Sequence, residues 1–154
     1  MKKGILSVLS MLIGGLVATG IAEKRNRKKI NDAWKMSEKH LNLLIMMSEW
    51  VRIKQEGKNI SDYLKQNNYK TVAIYGMSYV GERLIEELKG SEIKVAYGID
   101  RNAGGLYADV DIVSPDDSLE DVDAVIVTSI FYMEEIEMDL SDKLSCPIVS
   151  LEDI

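Results

Sequence analysis

Thr71-Val72-Ala73-Ile74-Tyr75-Gly76-Met77-Ser78-Tyr79-Val80-Gly81 is the stretch that decides the fold of this 154-residue chain. Its first five residues are β-rich with no polar alternation, the pattern of a parallel strand covered on both faces. The run enters a glycine turn directly. Glu82 to Lys89 then reads as a helix, with Leu84, Ile85 and Leu88 on one face and Gly90 as its stop. Ile93 to Ile99 reads as a second strand ending at Asp100. Strand, tight glycine turn, helix, strand and acid is the order of a dinucleotide-binding unit.

Each part has a chemical use. Gly76 permits a sharp turn at the strand end. Amides at the start of the following helix are unpaired and backed by the positive end of its dipole, so the backbone of Met77, Ser78, Tyr79 and Val80 offers a dock for a pyrophosphate. Gly81 lets the helix approach the sheet closely. Asp100 lies 24 residues after Gly76 and 19 after Gly81, close to the ~20 expected of an acid that holds a ribose hydroxyl. Arg101 beside it either balances a 2′-phosphate or faces water. The glycine motif departs from G-x-G-x-x-G at Ser78, which narrows the approach of a pyrophosphate.

Downstream, Asn102-Ala103-Gly104-Gly105 reads as a loop and Ala108 to Val113 as a third, edge-like strand. Ser114-Pro115-Asp116-Asp117 has the form of a helix N-cap with proline at the first helical position. Ala124 to Val127 reads as a buried fourth strand ending at Thr128-Ser129, which the topology turns toward the crevice of the glycine turn. Phe131 to Leu144 reads as a helix and Pro147 to Leu151 as a fifth strand. The expected fold class is α/β, a small Rossmann-like parallel sheet of order 3-2-1-4-5, preceded by a transmembrane helix and a long helix.

Catalytic machinery does not emerge. Every Tyr lacks a Lys four residues later, so there is no Tyr-x-x-x-Lys pair. The nucleophile elbow G-x-S-x-G fails because Val80 occupies its last position. His40 is the one histidine and Cys146 the one cysteine, which excludes a triad near the glycine turn, a disulfide framework and a Cys-rich zinc site. His40 is expected in a plain surface or packing role on its helix and Cys146 as a packed thiol. Asp116 and Asp117 are assigned to capping and turn chemistry, and no metal is expected.

The segments 70–84, 95–102, 121–128 and 146–154 together resemble the small Rossmann-like domains, often described as sugar-epimerase-like, that accompany bacterial surface-polysaccharide and glycosyltransferase proteins. The resemblance covers about 85 residues. It implies a fold more than an activity. It places Gly76, Ser78, Gly81 and Asp100 at ligand-contact positions, implies NAD(P) or a nucleotide-sugar as ligand, and suggests a glycosyltransferase as partner. The missing Tyr/Lys pair argues against epimerase chemistry.

The chain before residue 70 is different in kind. Gly4 to Ala22 carries no charge, and 19 residues at ~1.5 Å each span roughly 28 Å, close to the ~30 Å hydrocarbon core. Lys2 and Lys3 precede it; Lys24, Arg25, Arg27, Lys28 and Lys29 follow. The heavier basic flank stays in the cytoplasm, so residues 1–23 read as a single-pass anchor in the cell membrane with the C-terminal domain cytoplasmic. A cleaved signal peptide is the competing reading, disfavoured by the five basic residues just beyond the cleavage point. Ser10, Gly14, Ala18 and Ala22 fall four apart, with Gly15 and Thr19 beside them, a ridge suited to close helix association in lipid.

Residues 24–69 read as a helical connector: one long helix over 24–56 stopped by Gly57, then a short helix from about Ser61 to Gln66, capped near Asn59 and ended by Asn67-Asn68. Leu41 to Val51 is apolar over most of its circumference and must be buried against its domain, against a partner or in a membrane interface, packing against its own domain or a second subunit being the ordinary case. A homo-oligomer is therefore expected. The Rossmann-like domain takes 70–154.

Charge separates the two halves. Residues 1–70 hold 14 Lys/Arg against 6 Asp/Glu, a balance of +8; residues 71–154 hold 5 against 19, a balance of −14, giving the overall −6. An acidic domain repels phosphates, so nucleic acid is excluded as its partner. Three functions remain open: a binding module for a nucleotide, dinucleotide or nucleotide-sugar; an oligomeric scaffold with a ligand-free platform; and an enzyme that borrows catalytic groups from a partner.

Overall fold

The computed structural model describes the backbone of residues 2–154 and the side chains of residues 23–154. Contacts divide the chain into two compact units, Met1–Ile45 and Met46–Ile154. The first helix, α1, runs Lys2–Gln55. The apolar run Gly4–Ala22 and the small-residue ridge lie outside the residues whose side chains are described. Among the described residues, no helix is long and apolar enough to cross a membrane.

α1 ends where the sequence places its stop. Gly57 adopts φ +76°, its amide bonds the Lys54 carbonyl at 3.0 Å and the Lys58 amide bonds that of Ile53 at 3.1 Å. These two bonds satisfy carbonyls that a helix end leaves orphaned. α2 follows at Ile60–Gln66, one residue earlier than expected. Asn59 sits at its N-cap without a side-chain cap bond; its side chain accepts from Lys54 Nζ instead. Asn68 takes the left-handed conformation, φ 62°, and closes α2 in the way Gly57 closes α1, with the Tyr69 amide on the Leu64 carbonyl at 2.9 Å.

The sheet is five-stranded, all parallel, in the order β3-β2-β1-β4-β5. β1 is Thr71–Tyr75, β2 Lys94–Ile99, β3 Ile112–Val113, β4 Ala124–Val127 and β5 Ile148–Ser150. The strand order matches the sequence reading, while several boundaries move. α3 spans Tyr79–Leu88, starting directly after the turn. The third strand shrinks from Ala108–Val113 to two residues, because only Ile112 and Val113 find partners, Gly98 and Ile99. Ser114-Pro115-Asp116-Asp117 opens no helix. It is a turn, closed by the Asp117 amide on the Ser114 carbonyl and the Ser114 amide on the Asp117 carboxylate. The expected helix over Phe131–Leu144 splits into a 3-10 turn, Ile130–Tyr132, and α4, Met133–Ser141. β5 is followed by a 3-10 turn at Leu151–Asp153.

Alternation along the central strands divides the core. Ala73, Tyr75, Tyr97, Ile99, Val125 and Val127 pack in one cluster with Ile136, Leu140 and Leu144 from α4 and the residues after it. Val72, Ile74 and Ile126 alternate with that set and face the other side of the sheet, where α3 buries Val80, Leu84, Ile85 and Leu88. Tyr97 keeps its hydroxyl inside by donating to the Glu120 carbonyl at 2.6 Å, and burial pushes that phenol up to about 12.

Glu87 on α3 fastens the last turns of α1 and the start of α2 to this core. Its carboxylate, 7% exposed, accepts from Trp50 Nε1 at 2.6 Å and from the Ile60 amide at 3.0 Å, and pairs with Lys54 Nζ at 2.9 Å. A buried carboxylate persists only with such a set of donors. On α1, Met46 and Trp50 are buried while Leu41, Leu44, Ile45 and Val51 are exposed. Within the second unit, the end of α1 therefore buries Met46 and Trp50 and leaves Val51 exposed.

Candidate ligand-binding crevice

The chain reverses direction across the sheet between β1 and β4, since β2 and β3 lie on one side of β1 and β4 and β5 on the other. Open parallel sheets bind ligands at such a point, outside the carboxyl ends of the strands. A crevice of about 220 Å³ lies there, lined by Tyr75, Asp100, Arg101, Ser129, Tyr132 and Ile136.

The glycine turn is built tightly at its mouth. Gly76 has φ +97°, a conformation that disfavours any side chain. A Cβ there would also lie 2.3 Å from Ser129 Oγ and 2.7 Å from Thr128 Oγ1. A Cβ on Gly81 would lie 2.5 Å from the Gly76 carbonyl oxygen, so Gly81 serves the close approach of α3 to the turn. The Met77 side chain is buried and runs over Gly98 of β2, where a Cβ would stand 2.7 Å from its Cγ and Sδ.

The ten residues expected to contact a ligand separate into groups. Gly76 and Gly81 shape the turn. Val80 is buried on the core face of α3. Thr128 is consumed by structure: its hydroxyl donates to the Gly76 carbonyl at 2.6 Å and lies 3.1 Å from that of Tyr75. Ser78 and Tyr79 are exposed at the start of α3, Tyr79 at 83%. The first intrahelical bond there runs from the Glu82 amide to the Ser78 carbonyl, so helix geometry leaves the amides of Tyr79, Val80 and Gly81 without intrahelical partners. Asp100, Arg101 and Ser129 line the crevice.

The Met77 amide is not free. It donates to Asp100 Oδ2 at 2.9 Å, while Asp100 Oδ1 accepts from the Asn102 amide at 2.8 Å. The protein's own carboxylate thus takes the first amide of the anion dock. Arg101 is taken as well. Its guanidinium reaches α4, bonding Glu135 at 2.7 Å and Asp139 at 3.4 Å. The Glu135 bond, the nearby Tyr75 phenol and the Glu135 charge all hold it in its charged form.

Sequence reasoning missed Tyr75 itself. Its ring is 4% exposed, and its hydroxyl is buried with no hydrogen-bond partner. Burial raises its pKa, and the Arg101 charge, near but outside bonding geometry, opposes that rise. A buried hydroxyl without a partner costs about 1–3 kcal/mol. The signal was present in sequence: a phenol ends an otherwise apolar strand, at the edge where such sheets bind ligands. Glu135 and Asp139, four apart on α4, were also missed.

The polar groups of the crevice differ in what bonding capacity they keep. Each Asp100 oxygen keeps a lone pair beyond its backbone bond, enough to accept from a ribose diol. A 2′-phosphate finds no free cation, because Arg101 is already paired to two carboxylates. The volume suits one sugar ring, being below the 300 Å³ or so of ordinary ligand pockets. Cys146 is half-buried and its thiol is pushed up by burial, which makes it a poor nucleophile. Among the described residues, no cluster of His, Cys, Asp and Glu could hold a metal. No protein family, curated protein or solved structure matches this chain.

Proposed function

We propose that this chain is a single-pass membrane protein whose cytoplasmic Rossmann-like domain binds a nucleotide or nucleotide-sugar with a free ribose diol. It serves as a sensor or accessory factor beside a glycosyltransferase in envelope polysaccharide synthesis. The observation that carries the binding reading is the buried, unpartnered Tyr75 hydroxyl in a crevice at the sheet's reversal point, next to Asp100 and Ser129. A ligand hydroxyl would satisfy it. The membrane and polysaccharide parts rest on the uncharged run Gly4–Ala22 with its basic flank, and on the resemblance of residues 70–154.

Thermal unfolding of the full chain in detergent micelles tests the proposal, with NAD, NADP and UDP-glucose as probes. NAD or UDP-glucose should raise the midpoint, since a ligand at 100 times its Kd adds about 2.7 kcal/mol. NADP should act more weakly than NAD. No shift with any of the three at millimolar concentration sinks the reading.

A second reading has its own support. Asp100 closes the Met77 amide and the Arg101 bridge to Glu135 and Asp139 holds the crevice mouth with internal charges. On this reading the domain is a ligand-free platform for partner proteins. It predicts that the Tyr75 hydroxyl influences no ligand at all.

A further inference from the structure

We infer that the exposed apolar stripe of α1 between Ile30 and Ile45 is a seam for a second copy of this chain. Ile30, Trp34, Leu41, Leu44 and Ile45 are all more than half exposed, Trp34 at 71% and Leu44 at 66%. Steps of four, seven and three residues connect Ile30, Trp34, Leu41 and Leu44, and Ser37 fills the intervening place at three from Trp34 and four from Leu41. This alternation of three and four averages 3.5 residues, the spacing that keeps one stripe facing a partner helix.

Charge keeps clear of the stripe. At 100° per residue, Arg25, Lys28, Asp32 and Lys39 fall roughly opposite it, Lys24, Lys29, Lys35 and Glu38 lie toward its flanks, and no charged residue stands in it from Ile30 to Ile45, so a facing helix meets no charge along the seam. Arg27, at the stripe's upper end, is already paired within the helix to Glu23 at 2.8 Å. A stripe free of charge, small at its centre and apolar at both ends is complementary to itself.

Area supports the same occupant. Five large side chains that each expose about 100 Å² offer on the order of 500 Å² per chain, or about 1,000 Å² for a pair, which is the level a specific interface needs. The stripe is about 24 Å long at 1.5 Å per residue.

The test uses the full chain in detergent micelles with Cys146→Ala as background. Ser37→Cys, on the seam, should give a covalent dimer as the major product of mild oxidation. Lys39→Cys, on the opposite side, should give less than a tenth as much. The pair Leu41→Lys and Leu44→Lys, at exposed positions, should weaken the dimer seen by light scattering at least tenfold while helix content by circular dichroism stays unchanged. A monomeric parent chain, equal cross-linking from the two cysteine positions, or a dimer indifferent to the lysine pair would overturn the inference. These readouts use no nucleotide, so their failure is separate from failure of the binding reading.

Discussion

Asp100 accepts the Met77 amide at 2.9 Å and so occupies, with a carboxylate of the chain itself, the place where a phosphate would otherwise approach the glycine turn. The two residues lie 23 apart in sequence and meet because β1 and β2 are paired in parallel and end side by side, Tyr75 against Ile99. Asp100 is thereby both the candidate ribose acceptor and a brace for the turn.

Asp100→Ala should remove the acceptor for the Met77 and Asn102 amides. The cost expected is about 1–3 kcal/mol, because the Met77 amide is part-buried and loses its partner. Denaturant unfolding measures it. Inorganic phosphate should protect this variant more than the parent chain, since the competing carboxylate is gone.

Tyr75→Phe deletes the one buried side-chain polar atom that lacks a partner among the described residues. Without ligand the variant should be as stable as the parent or up to about 2 kcal/mol more stable. Any midpoint shift produced by NAD or UDP-glucose should fall by at least half. A variant that loses stability without ligand would show that the hydroxyl is already satisfied.

Gly98→Ala drives a Cβ to within 2.7 Å of the Met77 side chain. A buried clash of this kind costs about 1–3 kcal/mol. Met77→Ala removes the opposing atoms, so the double variant should be more stable than the sum of the single changes by at least about 1 kcal/mol. Denaturation midpoints of the four proteins close the cycle.

Glu87→Ala leaves the Trp50 indole N–H and the Ile60 amide without their shared acceptor. A loss of about 2–4 kcal/mol is expected. In a Trp34→Phe background, Trp50 fluorescence should shift to the red as the end of α1 loosens. Glu87→Gln, which keeps an acceptor, should cost less.

Asp123 accepts the Lys70 and Thr71 amides at 2.8 and 2.7 Å, and these bonds hold its carboxyl below the ordinary value of 3.8. A lowered folded-state pKa means the contribution is present above the unfolded value and is lost as pH falls through the folded one. Stability should therefore decline below about pH 4, and Asp123→Asn should flatten that decline. Denaturation midpoints between pH 2 and 6 measure the slope.

The parallel strands, the glycine turn, α3, α4 in part and the order 3-2-1-4-5 were all legible from residues 71–154 alone. Their signals are local: apolar runs of strand length, Gly76 at a strand end, helical spacing of Leu84, Ile85 and Leu88. The capping pattern at Ser114-Pro115 misled, because the same residues that start a helix also close a turn, and with few apolar residues between Val113 and Ala124 there was no face for a helix to bury. The two-residue β3 was overread for a similar reason, since Val/Asp alternation does not report whether a neighbouring strand is long enough to pair with it.

Sequence by itself determined where the elements lie, which face of each is apolar and where the sheet reverses, because those follow from periodicity and from backbone preference within a few residues. Tertiary structure alone decided which groups the crevice presents. It set Asp100 on the Met77 amide, drew Arg101 to Glu135 and Asp139, spent Thr128 on two carbonyls and left the Tyr75 hydroxyl unpaired. The bonds among these join groups 23 to 53 residues apart, and no local pattern encodes which donor will reach which acceptor first.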